Sequence, residues 1–183
     1  MMAWKHALTA SALTLVALTG GSSALAESKE SIDVNVRSSL KSFYASNPKH
    51  KALTTQSAGM LLFPRITKGG AGVAGEYGEG VLRVHGKTVD YYSIGGASVG
   101  LTLGVGQRSE IIMFMTQESL DRFIQSHGWT VGADAGIAVV SEGAGRDLDS
   151  KTVQKPILGF VYDEKGLIAD ASFDGSKITQ IEK

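Results

Sequence analysis

The 183-residue sequence contains no cysteine and has no excess of either charge. Without cysteine the chain forms no disulfide bond, so its folded domain must be stable by packing alone. Lys and Arg total 18, as do Asp and Glu. This balance gives no electrostatic support for nucleic-acid binding. The histidines His50, His85 and His127 stand alone, without the paired spacing of a metal site. We therefore expect no metal and no cofactor.

One long apolar run is present, and it lies at the N-terminus. Lys5 and His6 precede apolar residues 7–18, and Ala24-Leu25-Ala26 fits an A-x-A cleavage site. This order is typical of a secretory signal peptide. The run is shorter than the roughly 20 residues that span a bilayer, although a retained anchor is the alternative interpretation. We predict a signal peptide at residues 1–26 and one domain at residues 27–183, located in the periplasm or cell envelope.

A lipid anchor is not expected. Residues 18–23 (LTGGSS) resemble bacterial lipoprotein signals, in which a cysteine stands where this chain has Gly21. The thioether-linked lipid of those proteins requires that cysteine. All 18 acidic residues follow residue 26, whereas one of the 18 basic residues precedes it, so residues 27–183 have a formal charge of −1. Any affinity for an anionic surface must then come from local basic patches.

The apolar spacing predicts an α+β fold with a mostly antiparallel, glycine-rich sheet, two N-terminal helices and one inserted helix. Residues 31–46 and 49–58 are the predicted N-terminal helices, and residues 117–127 are the inserted one. Glycine accounts for 12 of the 38 residues at 69–106, interspersed with strand-like stretches. Glycine at this density in strands indicates bends and close approach of neighbouring strands. Residues 84–88 are typical of a hairpin turn.

Two glycine motifs resemble known sites but lack the required context. GAGVAG at residues 70–75 matches G-x-G-x-x-G, yet a strand rather than a phosphate-binding helix follows it. GASVG at residues 96–100 matches the G-x-S-x-G nucleophile elbow, with Ser98 as the nucleophile. A strand again follows, and Asp121 and His127 lie on one helix, which is a poor arrangement for a catalytic triad. A glycine-lined strand explains both motifs.

The basic residues of the first third of the domain are candidates for lipid binding: Arg37, Lys41, Lys49, Lys51, Arg65 and Lys68. Beside them the first helix has an apolar stripe of Ile32, Val36, Leu40 and Phe43. An apolar stripe flanked by cations is the composition of a membrane-surface helix. The alternative is a helix that packs this stripe into the core and exposes a solvated basic face.

Three groups of motifs resemble the SYLF domain. SAGMLLFP at residues 57–64 with KGG at 68–70 is similar to its opening signature. YSIGGASVGLTLGVG at residues 92–106 is similar to its glycine-rich centre, and FVY at 160–162, KGL at 165–167 and ASFDG at 171–175 to its closing hairpin. The resemblance implies a lipid-binding module whose eukaryotic relatives bind phosphoinositides and in some fungi bundle actin. Bacterial relatives are exported.

These observations predict a non-enzymatic protein that binds anionic phospholipid headgroups peripherally, through the basic residues and the amphipathic first helix. Export makes actin and phosphoinositides unsuitable as partners. Two alternatives remain open: a serine hydrolase that uses Ser98, and an envelope protein that binds another protein through a loop or sheet edge.

Overall fold

The computed structural model describes residues 26–126, 128–131, 136–141, 153–166 and 175–183. Within these residues the chain forms three helices and six strands. The helices are α1 (Lys29–Ser46), α2 (Pro48–Gln56) and α3 (Gln117–Gln125). The strands are β1 (Gly59–Val84), β2 (Lys87–Phe114), β3 (Trp129–Thr130), β4 (Ala138–Ser141), β5 (Ile157–Gly166) and β6 (Lys177–Ile181).

Local capping explains where the first two helices begin and end. Ser28 caps α1, because its hydroxyl accepts a hydrogen bond from the Ser31 amide at 3.2 Å. Asn47 has an extended backbone that ends α1, and its side chain accepts from the Lys49 amide at 2.9 Å to cap α2. Pro48 occupies the first turn of α2, where proline is tolerated. The chain therefore turns sharply between two helices that pack on the same side of the sheet.

Antiparallel pairing of β1 with β2 forms the centre of the sheet. Along β2, one part pairs with β6 and another with β5, both antiparallel, while β3 pairs antiparallel with β6 and β4 lies parallel to β5. The predicted α+β class with a mostly antiparallel sheet is confirmed. Both long strands exceed the usual length of 3–10 residues, and register shifts along their pairing let them curl.

Alternating residues of the sheet face two separate hydrophobic cores. Leu61 and Phe63 lie on the side covered by α3, whereas Met60 and Leu62 lie on the side covered by α1 and α2. The apolar stripe of α1 belongs to the second core, with Ile32, Val36, Leu40 and Phe43 between 0% and 6% exposed. The prediction that this stripe meets a membrane is therefore wrong, because the sheet already covers it.

The hairpin predicted at residues 84–88 is confirmed. His85 and Gly86 connect β1 to β2 with φ angles of 49° and 77°. Two successive positive φ angles are typical of the two-residue turns that match strand twist, and the second position favours glycine.

Glycine also permits β1 to fold back on itself. A Cβ atom added at Gly80 would lie 2.1 Å from the Leu62 carbonyl oxygen, and one added at Gly78 would lie 2.6 Å from that of Arg65. No side chain fits at such distances, so the two halves of β1 approach each other backbone to backbone. The curl of the sheet depends on this contact.

We expect Gly80→Ala to lower the free energy of unfolding by about 1–3 kcal/mol, because the methyl group overpacks against Leu62. Gly75→Ala is the matched control, since an added Cβ at Gly75 has no heavy atom within 4 Å. Urea denaturation of the two variants measures the difference. Equal stability of the two variants would contradict this explanation of the curl.

Candidate functional site

A polar cleft of about 540 Å³ lies between α1 and the sheet. We call it the α1 cleft. Because α1 directs its apolar stripe into the core, the neighbouring serines and Lys41 line the open side. Its lining residues come from the polar flank of α1 and from β1, β2 and β5: Asn35, Ser38, Ser39, Lys41, Ser42, Ala45, Pro64, Arg65, Gln107, Arg108, Ser109, Asp163 and Lys165.

The charges of the α1 cleft are mainly positive. Its lining includes four cationic side chains and a single carboxylate, that of Asp163. Asp163 accepts a hydrogen bond from the Ser42 hydroxyl at 3.1 Å. Arg65 is 46% exposed, and its Nη1 lies 3.7 Å from the carboxylate of Glu27, which does not line the cleft. Hydroxyl and amide groups beside these cations supply further hydrogen-bond donors. This combination is suited to an oxygen-rich anion.

Strand register brings Lys165 to the cleft from the distant end of the sequence. Gln107 of β2 pairs with Thr67 of β1 on one side and with Lys165 of β5 on the other. These three residues are exposed and lie in one row across the sheet. Lys165 therefore belongs to the same site as Lys41, although more than a hundred residues separate them.

Arg108 is the buried cation of the cleft. Its side chain is fully buried; Nε donates to Glu110 at 2.6 Å and Nη2 donates to Glu76 at 2.8 Å. Burial lowers the pKa of Arg108, but the adjacent carboxylates more than offset this effect and hold the pKa above its usual value. Nη1 is buried and has no hydrogen-bond partner among the described residues. Nη1 is therefore a hydrogen-bond donor without an acceptor among the described residues, and it belongs to a residue that lines the cleft.

The Glu110 carboxylate is completely buried beside Arg108. Burial raises its pKa to about 7, although the charge and hydrogen bond of Arg108 oppose this shift. Its Oε2 atom is also without a partner among the described residues. The Arg108 guanidinium links Glu110 to Glu76, whose other oxygen accepts from the Ser176 hydroxyl. The cluster fixes the position of Arg108 through both strands of the central pair.

The six basic residues predicted from the sequence do not all meet. Lys41 and Arg65 line the α1 cleft together. Arg37, Lys49, Lys51 and Lys68 do not line it: Arg37 is exposed on α1, Lys49 and Lys51 are exposed on α2, and Lys68 is half-buried on β1. Arg108 and Lys165 were missed, because no local sequence pattern indicates that their strands lie beside α1.

The hydrolase and nucleotide motifs lie within strands. Ser98 belongs to β2 and pairs with Ala74 of β1, without the strand-turn-helix geometry of a nucleophile elbow. GAGVAG at residues 70–75 is part of β1, and no helix follows it. His127 lies outside the described residues.

The described ranges contain neither a candidate metal site nor a candidate membrane-spanning helix. No group of three or more His, Cys, Asp or Glu residues there could hold a metal ion. None of the helices in this part of the chain has the length and hydrophobicity to cross a bilayer.

Comparison with known families identifies the second half of the chain. The sequence model of the Ysc84 family, described as "Las17-binding protein actin regulator", matches residues 95–183. Residues 95–183 therefore match the SYLF domain family, in agreement with the motifs in the sequence. The match includes most of β2 and all of α3, β5 and β6, and therefore includes Arg108 and Lys165. This SYLF family consists of modules that bind lipids or proteins. No curated protein matches the chain significantly.

We expect the stability of the protein to fall between pH 5 and pH 8, because Glu110 has a raised pKa when folded. Below its unfolded pKa of 4.5 the carboxyl is protonated in both states. As the pH rises towards 7, only the folded state keeps the proton, so folding becomes less favourable. The loss should be about 1–3 kcal/mol.

Glu110→Gln should reduce this pH dependence, and the exposed Glu164→Gln should retain it. Denaturant unfolding at pH 5, 6, 7 and 8 measures both slopes. An unchanged slope in Glu110→Gln would show that Glu110 does not titrate in this range.

Proposed function

We propose that this SYLF domain is an exported, non-enzymatic protein that binds the anionic headgroups of phospholipids at a membrane surface. The α1 cleft receives the headgroup phosphate. The observation that carries the proposal is the grouping of Lys41, Arg65 and Lys165 around an open cleft whose lining has one carboxylate. The fourth cation of the lining, Arg108, is buried and paired with Glu76 and Glu110. Three different strands and one helix contribute these cations.

The chemistry of the cleft suits a phosphate ester better than a small neutral ligand. Guanidinium and ammonium groups attract the phosphate charge, and the serine hydroxyls of α1 donate to its oxygens. Each basic side chain near an anionic membrane contributes on the order of 1 kcal/mol. Lys41, Arg65 and Lys165 together would give weak binding that salt weakens further. Reversible attachment follows from an affinity of this size.

An exposed valine next to the cleft can make the apolar contact with a membrane that the buried stripe of α1 cannot make. Val105 is 65% exposed and lies two residues before Gln107 on β2. Residues two apart in a strand point to the same side, so Val105 extends the face that contains Gln107 and Lys165. Cations and an exposed aliphatic group on one face can contact headgroups and the acyl boundary together.

The family description names an actin regulator, which concerns a cytoplasmic filament. Residues 1–26 have the features of a secretory signal, and export would separate this chain from actin. Phospholipid headgroups are available at every envelope membrane. Because an exported chain meets phospholipid headgroups but not actin, headgroups are the favoured ligand of this protein.

We expect the purified domain to co-sediment with vesicles containing phosphatidylglycerol at low salt and to be released at 0.5 M salt. Reversal of the charge in Lys41→Glu, Arg65→Glu or Lys165→Glu should lower the bound fraction several-fold. Lys87→Glu is the matched control, because Lys87 is exposed beside the hairpin turn and does not line the cleft. The proposal fails if Lys87→Glu weakens binding as much as the cleft variants do.

Val105→Asp should also reduce vesicle binding, since a carboxylate is repelled by an anionic surface and cannot enter the acyl boundary. Val89→Asp is its control, with Val89 51% exposed on the same strand but near the hairpin turn. Circular dichroism checks that both variants are folded. If both variants bind like the unmodified domain, Val105 does not contact the membrane.

Protein binding is the second candidate function, and the family description favours it. An envelope protein partner would be retained by the immobilised domain at 0.5 M salt and without lipid. Failure of vesicle binding together with such retention would replace the headgroup proposal.

A further inference from the structure

A buried carboxylate lies directly against the residue that follows the A-x-A motif. Glu79 is 6% exposed, and its Oε2 accepts a hydrogen bond from the backbone amide of Glu27 at 3.0 Å. Oε2 also accepts from the Lys183 ammonium at 2.6 Å, while Oε1 accepts from the Tyr77 hydroxyl at 2.8 Å. The backbone nitrogen of Glu27 therefore points at the buried Glu79 carboxylate, which Lys183 already pairs with.

We infer that the chain is cleaved between Ala26 and Glu27 and that Glu79 then binds the new N-terminal ammonium group. The reaction is hydrolysis by a signal peptidase, with water as the co-reactant. The Ala26 carbonyl leaves as a carboxylate, and the Glu27 nitrogen becomes an α-ammonium. The same two atoms that now form an amide–carboxylate hydrogen bond form an ion pair after cleavage.

Further contacts hold Glu27 where cleavage would leave it. The Lys183 ammonium donates to the Glu27 carbonyl oxygen at 2.6 Å, and Asn35 donates to its side-chain carboxylate at 3.0 Å. Arg65 lies 3.7 Å from the other carboxylate oxygen. Ala26, on the other side of the bond to be cut, is exposed and lies outside this set of contacts. The N-cap of α1 is Ser28, and cleavage before Glu27 keeps it intact.

Cleavage strengthens the contact with Glu79. A hydrogen bond between two charged groups is roughly twice as strong as one to a neutral donor, and burial of Glu79 limits its screening by water. Lys183 and Arg65 repel the new ammonium, whereas Glu79 and the Glu27 side chain attract it. The nearest of these groups is Glu79, which is in direct contact. The processed chain should therefore be more stable than a chain extended by a few residues.

The first experiment measures the intact mass of the full chain after export to the periplasm of a bacterial host. The expected mass corresponds to Glu27 as the first residue. An uncut chain, or a first residue other than Glu27, would overturn the inference. This result does not depend on whether the domain binds lipid.

The second experiment compares the melting temperatures of a chain that begins at Glu27 and one that begins at Ala24. The chain that begins at Glu27 should melt about 2–4 °C higher. Glu79→Gln should remove this gap, because the neutral amide forms no ion pair, and the exposed Glu164→Gln should keep it. Equal melting temperatures, or a gap that persists in Glu79→Gln, would overturn the inference.

Should Glu79→Gln fail to fold, amine labelling of chains with an unmodified Glu79 tests whether Glu79 binds the α-amino group of Glu27. The α-amino group of the chain that begins at Glu27 should react several-fold more slowly than that of the chain that begins at Ala24, since Glu79 holds it. Peptide mass spectrometry separates this label from lysine labels. Equal labelling rates would overturn the inference.

Discussion

The antiparallel contact between β1 and β2 is the constraint on which the rest of the structure depends. The contact joins β1, a strand of 26 residues, to β2, a strand of 28 residues. The pair curls where Gly78 and Gly80 let β1 approach its own backbone. Both faces of this curled pair have buried hydrophobic residues, and separate helices cover them. These helices are α3 on one side and α1 with α2 on the other. Both β5 and β6 pair with β2, so the closing segments also take their positions from this pair.

The position of α1 determines which of its groups are available for binding. Its apolar stripe fills the second core, where Phe43 stacks on His50 at a centroid distance of 3.9 Å. The flank that includes Lys41 is left beside the strands, and the α1 cleft forms between them. The exposed cationic flank and the apolar stripe that packs into the core are therefore the two faces of one amphipathic helix. Membrane contact through the stripe itself would require this core to open.

Buried charge connects the cleft to the sheet. Arg108 has carboxylate partners on both strands of the central pair, and its third nitrogen has no partner among the described residues. Breaking such a buried pair leaves an uncompensated charge and is costly, so the guanidinium is held rigidly. Glu79 is a buried carboxylate of β1, and its partners are the Glu27 amide, Lys183 and Tyr77. Two carboxylates of β1 thus fix two different parts of the chain: Glu76 binds Arg108 of β2, and Glu79 binds Glu27 and Lys183.

The sequence by itself determined the helices, the α+β class and the hairpin turn, because apolar periodicity, the Asn47-Pro48 break and His85-Gly86 act locally. It also showed that Lys41 and Arg65 are cations of the first third of the domain. The sequence could not show that Arg108 and Lys165 join them, since that depends on the register of β2 with β5. Nor could it decide whether the stripe of Ile32, Val36, Leu40 and Phe43 packs inward, because an amphipathic pattern fits a core or a membrane equally. Only the tertiary structure shows that the stripe packs inward, because there the sheet covers it.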